Sequence, residues 1–340
     1  MLSSGMIDSE PLNRRKLEHL QIVRNQPVEP VPSPFDAYRL PYKALPEIDM
    51  AEIETGVQFL GRQLSIPLLI SSMTGGPEKA GVINRNLAIA AEEVGVAMGL
   101  GSMRTVLKHP ETLASFQVRK FCPSVPLFAN MGLVQLNYGY GASEINSLID
   151  AVEADGIFLH VNPLQEAIQP EGDTNFKDLL PKLERLIPKI KAPIIIKEVG
   201  SGIDPNTAQR LADIGVQWVD VAGMGGTSWA WVEGYRREDR LGALFRDVGL
   251  TTDQALLGAS TIKGLQLIGS GGIRSGLDMA KALMLGANIA GSAKPFLEPA
   301  LESAEACVAS LAQFELEFRT AMFCVGARNV AQLKEMDLQK

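Results

Sequence analysis

Cysteine and histidine are both scarce in this 340-residue chain, with three of each. Cys122, Cys307 and Cys324 form no CxxC pair and are odd in number, which argues against a disulfide framework. They read as reduced, buried thiols and the chain as cytoplasmic. Aromatic residues make up only 6%. No apolar run approaches the ~20 residues that a membrane helix needs. No apolar signal core precedes RRKLEHL at residues 14–20. Positive charge is short as well: 32 Lys and Arg face 39 Asp and Glu, for a net charge of −7. Bulk attraction to nucleic acid is therefore not expected. What is present is a globular composition, 46% hydrophobic, sized for one large domain or two ordinary ones.

From about Pro67 two textures alternate. Eight short apolar runs end in Gly, Ser or Asn: 67–73, 96–102, 126–132, 156–162, 193–200, 218–226, 266–272 and 289–293. They do not alternate apolar with polar, so both faces of each strand are buried. Between them lie NRNLAIAAEEV, ETLASFQVRKF, ASEINSLIDAVEA, FKDLLPKLERLIPKI, NTAQRLADIG, DQALLGASTIKG and SGLDMAKALMLG, each with helical spacing of apolar residues. Eight strand–helix repeats predict a (β/α)8 TIM barrel over residues 66–340; an open doubly wound sheet is the alternative. Residues 1–65 form an N-terminal extension: a helix through RRKLEHLQIV, the proline-rich linker PVEPVPSP, and a hairpin at IETGVQFLGRQL that would close the barrel floor. The tail reads as one helix from Pro299 through Ala321, with Phe314, Phe318 and Phe323 available to the barrel or a neighbouring subunit.

Barrel enzymes work at the carboxyl ends of their strands. There this sequence sets polar and glycine residues that packing does not call for. The fourth run, GIFLHVN, ends in His160 and Asn162, with Gln165 and Glu166 just beyond. A buried strand tolerates unpaired polar groups poorly, so something at that end must use them. Lys197 sits inside the fifth run, where a lone charge needs an anionic partner. SGGIRSG after the seventh run opens a helix, and its bare N–H groups suit a phosphate.

In SSMTGG, GSMR, HVNPLQE, GGTSWAWVE and SGGIRSGLDMAKAL, together with RKLEHL near the start, the chain resembles the type 2 isopentenyl-diphosphate isomerases, flavin-dependent barrel enzymes. The resemblance runs from about Arg14 to Val330 in matching order. It implies that Arg15, Lys16, His19 and Arg104 contact the substrate diphosphate. It implies flavin contacts from Ser72, Met73, Thr74, Ser102, Asn130, Lys197 and Thr227. Gly272, Ile273, Arg274, Ala293 and Lys294 would line the flavin's phosphate end. His160 and Asn162 would face substrate, and Gln165 would sit over the isoprenoid double bond. Glu166 would hold Mg²⁺, and Trp229 and Glu233 would close the pocket. The cofactors implied are reduced FMN and Mg²⁺, with NADPH or NADH as reductant. The partners implied are the small diphosphate substrate and further copies of the chain, as a tetramer or octamer. Two positions depart from the family pattern: Ala222 stands where serine is common, and Met103 where glutamine is.

Moving the double bond of isopentenyl diphosphate requires one proton added and one removed. Gln165 does not titrate at physiological pH, and Glu166 is assigned to metal. The cofactor would then carry the proton, with reduced-flavin N5 as donor. A flavin-dependent 2-hydroxy acid oxidase is the rival reading. It needs a histidine base after strand six or seven, yet His19, His109 and His160 are the only histidines. A nucleotide dehydrogenase would need a cysteine in residues 227–252, and that loop has none. A phosphate-binding barrel without catalysis would explain the glycines but not HVNPLQE.

Overall fold

Ten strands form in the computed structural model, which describes residues 11–237 and 239–340. The first ten residues of the predicted extension lie outside the described residues. β1 (Val57–Phe59) and β2 (Arg62–Leu64) pair antiparallel as a hairpin. The other eight are β3 (Leu68–Ile70), β4 (Ala97–Gly99), β5 (Leu127–Gly132), β6 (Gly156–His160), β7 (Ile194–Lys197), β8 (Trp218–Asp220), β9 (Gln266–Ser270) and β10 (Ile289–Ser292). They run parallel in sequence order, and β10 pairs back with β3. The predicted (β/α)8 barrel is therefore closed, and the open sheet is ruled out.

Side chains alternate across each strand, and here the two sides build two cores. Leu68, Ile70, Met98, Leu127, Ile157, Leu159, Ile196 and Leu267 face outward into a shell shared with the helices. Leu69, Ala97, Phe128, Phe158, Ile195, Ile268 and Ile289 face inward. The hairpin adds Phe59 and Leu64 to that inner core. Phe59 meets Trp218 edge-on with ring centroids 4.8 Å apart, and Phe128 at 5.5 Å. The hairpin thus stoppers the amino-terminal end of the barrel.

Helix Glu78–Val94 ends at Gly95, whose φ of +79° only glycine adopts freely. Helix Pro205–Asp213 begins under Asp204, whose carboxylate accepts from Thr207 N–H at 3.0 Å. Two helical readings need correction. ETLASFQVRKF forms 3-10 turns at Pro110–Ser115 and Arg119–Phe121 rather than an α-helix. The cause is tertiary: Phe116 is drawn in until it covers Gly75, where any Cβ would collide with its ring. The tail is two helices, Leu297–Glu302 and Ala304–Val325, parted at the extended Ser303, whose side-chain Oγ accepts from Ala306 N–H at 3.1 Å and caps the second. Phe314 and Phe318 are buried within the chain, Phe314 tilted against Phe296 with ring centroids 5.0 Å apart. They are not available to a neighbouring subunit.

Candidate active site

Two residues beyond each inward apolar side chain, the barrel interior changes character. Leu69, Ala97, Phe128, Phe158, Ile195, Trp218, Ile268 and Ile289 give way to Ser71, Gly99, Asn130, His160, Lys197, Asp220, Ser270 and Gly291. The apolar ring is a floor, and the polar ring above it is the base of a cavity at the carboxyl ends of the strands. The glycines in the ring are spatial requirements. A Cβ at Gly99 would fall 2.8 Å from Ser72 Oγ, and one at Gly291 2.7 Å from Ser71 Oγ.

His160 Nδ1 lies 2.8 Å from Asn130 Oδ1, while Asn130 Nδ2 donates to the Leu100 carbonyl. The amide oxygen therefore accepts from Nδ1–H, and Nε2 keeps its lone pair. Burial pushes the His160 imidazole down to about 3, helped by the charges of Arg104, Lys197 and Arg15. It is neutral at physiological pH. Lys197 does have an anionic partner, and it belongs to the protein: Nζ donates to Asp220 at 2.6 Å. Ser72 Oγ, Thr74 Oγ1 and Asn162 Oδ1 are buried without a hydrogen-bond partner in the protein, and all three residues line the cavity.

On one side the wall is the turn after β9. Gly271 and Gly272 hold φ of +100° and +81°, and a Cβ on Gly226 would approach Gly272 N to 3.0 Å. Arg274 and Lys294 converge there on Glu29 from the proline-rich linker, Lys294 at 3.0 Å. Ala293, Thr227, Met73 and Ser102 also line the cavity. Ile273 departs from its expected place. Its side chain is fully buried in the outer core, and only its main chain borders the turn, with the carbonyl accepting from Ser292 Oγ at 2.8 Å.

The other side is built by the turn after β6 and by the helix Pro11–Asn25, which brings Arg15, Lys16 and His19 to the cavity. Pro163 opens a short helix after Asn162, so that Gln165 and Glu166 face back toward it. Glu166 is buried: one oxygen accepts from Asn162 Nδ2 at 2.9 Å and the other from Asp173 N–H at 2.6 Å. Arg104 pairs with Asp173, which also accepts from Gln135 Nε2 at 2.8 Å. Lys16 Nζ donates to the Ser102 carbonyl at 2.9 Å and lies over the Phe116 ring. Burial, with Arg15 and Arg104 nearby, brings Lys16 down to about 7.

Glu233 also departs from its expected place. It does not border the cavity but is wholly buried behind it. It accepts from Gln165 Nε2 at 3.0 Å and Arg236 at 2.6 Å, and His19 Nε2 lies 2.9 Å away. Burial alone would raise Glu233, but His19, Gln165 and Arg236 together hold it at about 2. It is a buttress, and a carboxylate. Trp229 lies at the mouth, edge-on to His19 at 5.1 Å. Ala222 borders the cavity with φ of +38°, while Met103 is buried away from it and donates its N–H to the Asn130 carbonyl.

Sequence reasoning missed Asp173, Glu171, Arg236 and Asp220. Arg236 ties Glu18, Glu171 and Glu233 together at 2.6–3.1 Å and so holds the N-terminal helix against the barrel. Its signal was spacing, one turn after Glu233. The signal for Asp220 was the one applied to Lys197, a charge inside a buried strand.

The comparisons agree with this geometry. Residues 162–340 match the model of the FMN-dependent dehydrogenase family. Crystal structures of mandelate oxidase share the fold; the one with benzoyl-formic acid superposes with a TM-score of 0.63 at 17% identity, covering 95% of this chain and 90% of that one. The isopentenyl-diphosphate delta-isomerase of Hydrogenovibrio crunogenus is 47% identical over 96% of this chain and 97% of its own. That of a Nostoc species is 48% identical over 96% and 95%. Likeness of this degree along nearly the whole length means that the chain belongs to the type 2 isopentenyl-diphosphate delta-isomerases.

Proposed function

We propose that this enzyme interconverts isopentenyl and dimethylallyl diphosphate, using reduced FMN and Mg²⁺. One observation carries the mechanism: among the described residues, neither titratable group beside Gln165 and Asn162, His160 or Glu233, holds a proton to give. His160 is neutral with Nδ1–H engaged by Asn130, and Glu233 is an ionised buttress. When bound, reduced FMN supplies the exchangeable proton of its N5 to this chemistry.

The residues suit that cofactor. Ser72 Oγ and Thr74 Oγ1 are buried donors lacking a partner, which a polar ring above them would satisfy. Lys197 presents positive charge at the cavity base. Gly272, Arg274 and Lys294 would receive the phosphate. Arg15, Lys16, His19 and Arg104 surround the other end with cationic and hydrogen-bonding groups suited to a diphosphate. Glu166 is a single carboxylate, and Mg²⁺ held by one carboxylate plus substrate phosphates is its common arrangement. Gln165, fixed by Glu233, would orient the alkene, with His160 and Asn162 beneath it. Trp229 would limit water at the mouth.

A 2-hydroxy acid oxidase shares the fold but demands a competent base. An imidazole titrating near 3 is a poor one. The deciding experiment counts hydride. Under anaerobic conditions NADPH or NADH should switch the enzyme on, and one reduction should support many turnovers. One nicotinamide consumed per product, or full activity with oxidised flavin, would overturn the mechanism.

A further inference from the structure

We propose that Asp220 is the positioning residue of Lys197: it holds the ammonium in place and fixes the net charge that a ring bound over the cavity base would meet. The proposal rests on the flavin reading above and deepens it. Lys197 and Asp220 stand opposite one another on β7 and β8. Lys197 Nζ donates to Asp220 Oδ2 at 2.6 Å. Asp220 Oδ1 accepts from Ser270 Oγ on β9 at 2.5 Å, and from Ala222 N–H at 3.3 Å. Asp220 is fully buried, and Lys197 alone of the pair borders the cavity.

As packing, this arrangement has little to recommend it. Dehydrating two charges costs about as much as their attraction returns, and apolar side chains of the same volume often do better. The ring of residues directly below is filled in that apolar way. The position of the pair points to electrostatics instead. Within the polar ring, Lys197 and Asp220 are the only charged members, since His160 is neutral. Lys197 alone would present a full positive charge, favouring any ligand that gains electrons. Asp220 offsets most of it, and Ser270 softens that offset by sharing the carboxylate's charge.

The test is the midpoint potential of the FMN-loaded full-length enzyme, measured anaerobically by titration against a reference dye. Asp220→Asn keeps the size of the side chain and removes its charge. The variant should favour reduced over oxidised FMN about tenfold more than the parent does, an upward shift of about 30 mV for a two-electron couple. A potential equal to the parent's, or lower, overturns the proposal. If Asp220→Asn does not fold, Ser270→Ala decides. It leaves the carboxylate's charge unshared, so the potential should fall, and an unchanged value overturns the proposal. A merely structural pair would lower thermal stability and leave the potential where it was. A parent enzyme that binds no FMN would overturn the flavin reading itself, so the two failures are told apart.

Discussion

Glu166 has both oxygens engaged by neighbours that fix its direction. If it anchors Mg²⁺, Glu166→Gln should raise the Mg²⁺ needed for half-maximal activity at least about tenfold, the size of effect seen when metal sites lose supporting groups. FMN content should be unchanged. A metal titration that superimposes on the parent's would return Glu166 to a structural role. Lys16 carries a pH prediction. Its folded pKa of about 7 means that the free enzyme holds this charge below that pH and loses it above. The kcat/KM for diphosphate should therefore fall as pH rises through about 7, and Lys16→Gln should lower it at acidic pH and flatten the step. A parent-like step in the variant would assign the titration elsewhere. At this scale sequence reading found polar residues at strand ends because burial makes them conspicuous. It missed partners such as Asp173 and Arg236, whose contacts are made by tertiary placement. For Lys197 it sought the partner in a ligand, while Asp220 lay one strand away.

The hairpin of β1 and β2 works as a unit. Phe59 is fully buried between Trp218 and Phe128. Phe59→Ala should reduce the unfolding free energy by about 3–5 kcal/mol, read from urea denaturation. A loss below about 1 kcal/mol, the scale of an ordinary substitution, would mean that the stopper contributes little. Strands were legible because eight apolar runs punctuated by Gly and Pro leave few alternatives. Helices were less so. Phe116 overrode the helical spacing of ETLASFQVRKF to reach Gly75, and such long-range demands leave no periodic trace.

For the whole molecule, the slightly positive mean hydropathy, +0.07, keeps the homo-oligomer as a proposal. Its surface must be sought away from Phe314 and Phe318, among exposed residues such as Leu244, Val248 and Leu316. Light scattering at micromolar concentration should give a tetramer or octamer of the 36.7 kDa chain; a monomer would reject it.

The stoppered barrel also dictates traffic. With Phe59 and Leu64 filling the amino-terminal end, the cavity described above opens at the carboxyl ends of the strands. The helix bearing Arg15, Lys16 and His19 lines the cavity at that end. A diphosphate that enters past this cationic threshold meets, on leaving, the same grip that drew it in. Departure, rather than rearrangement of the bond, is then the step that the threshold is best placed to slow.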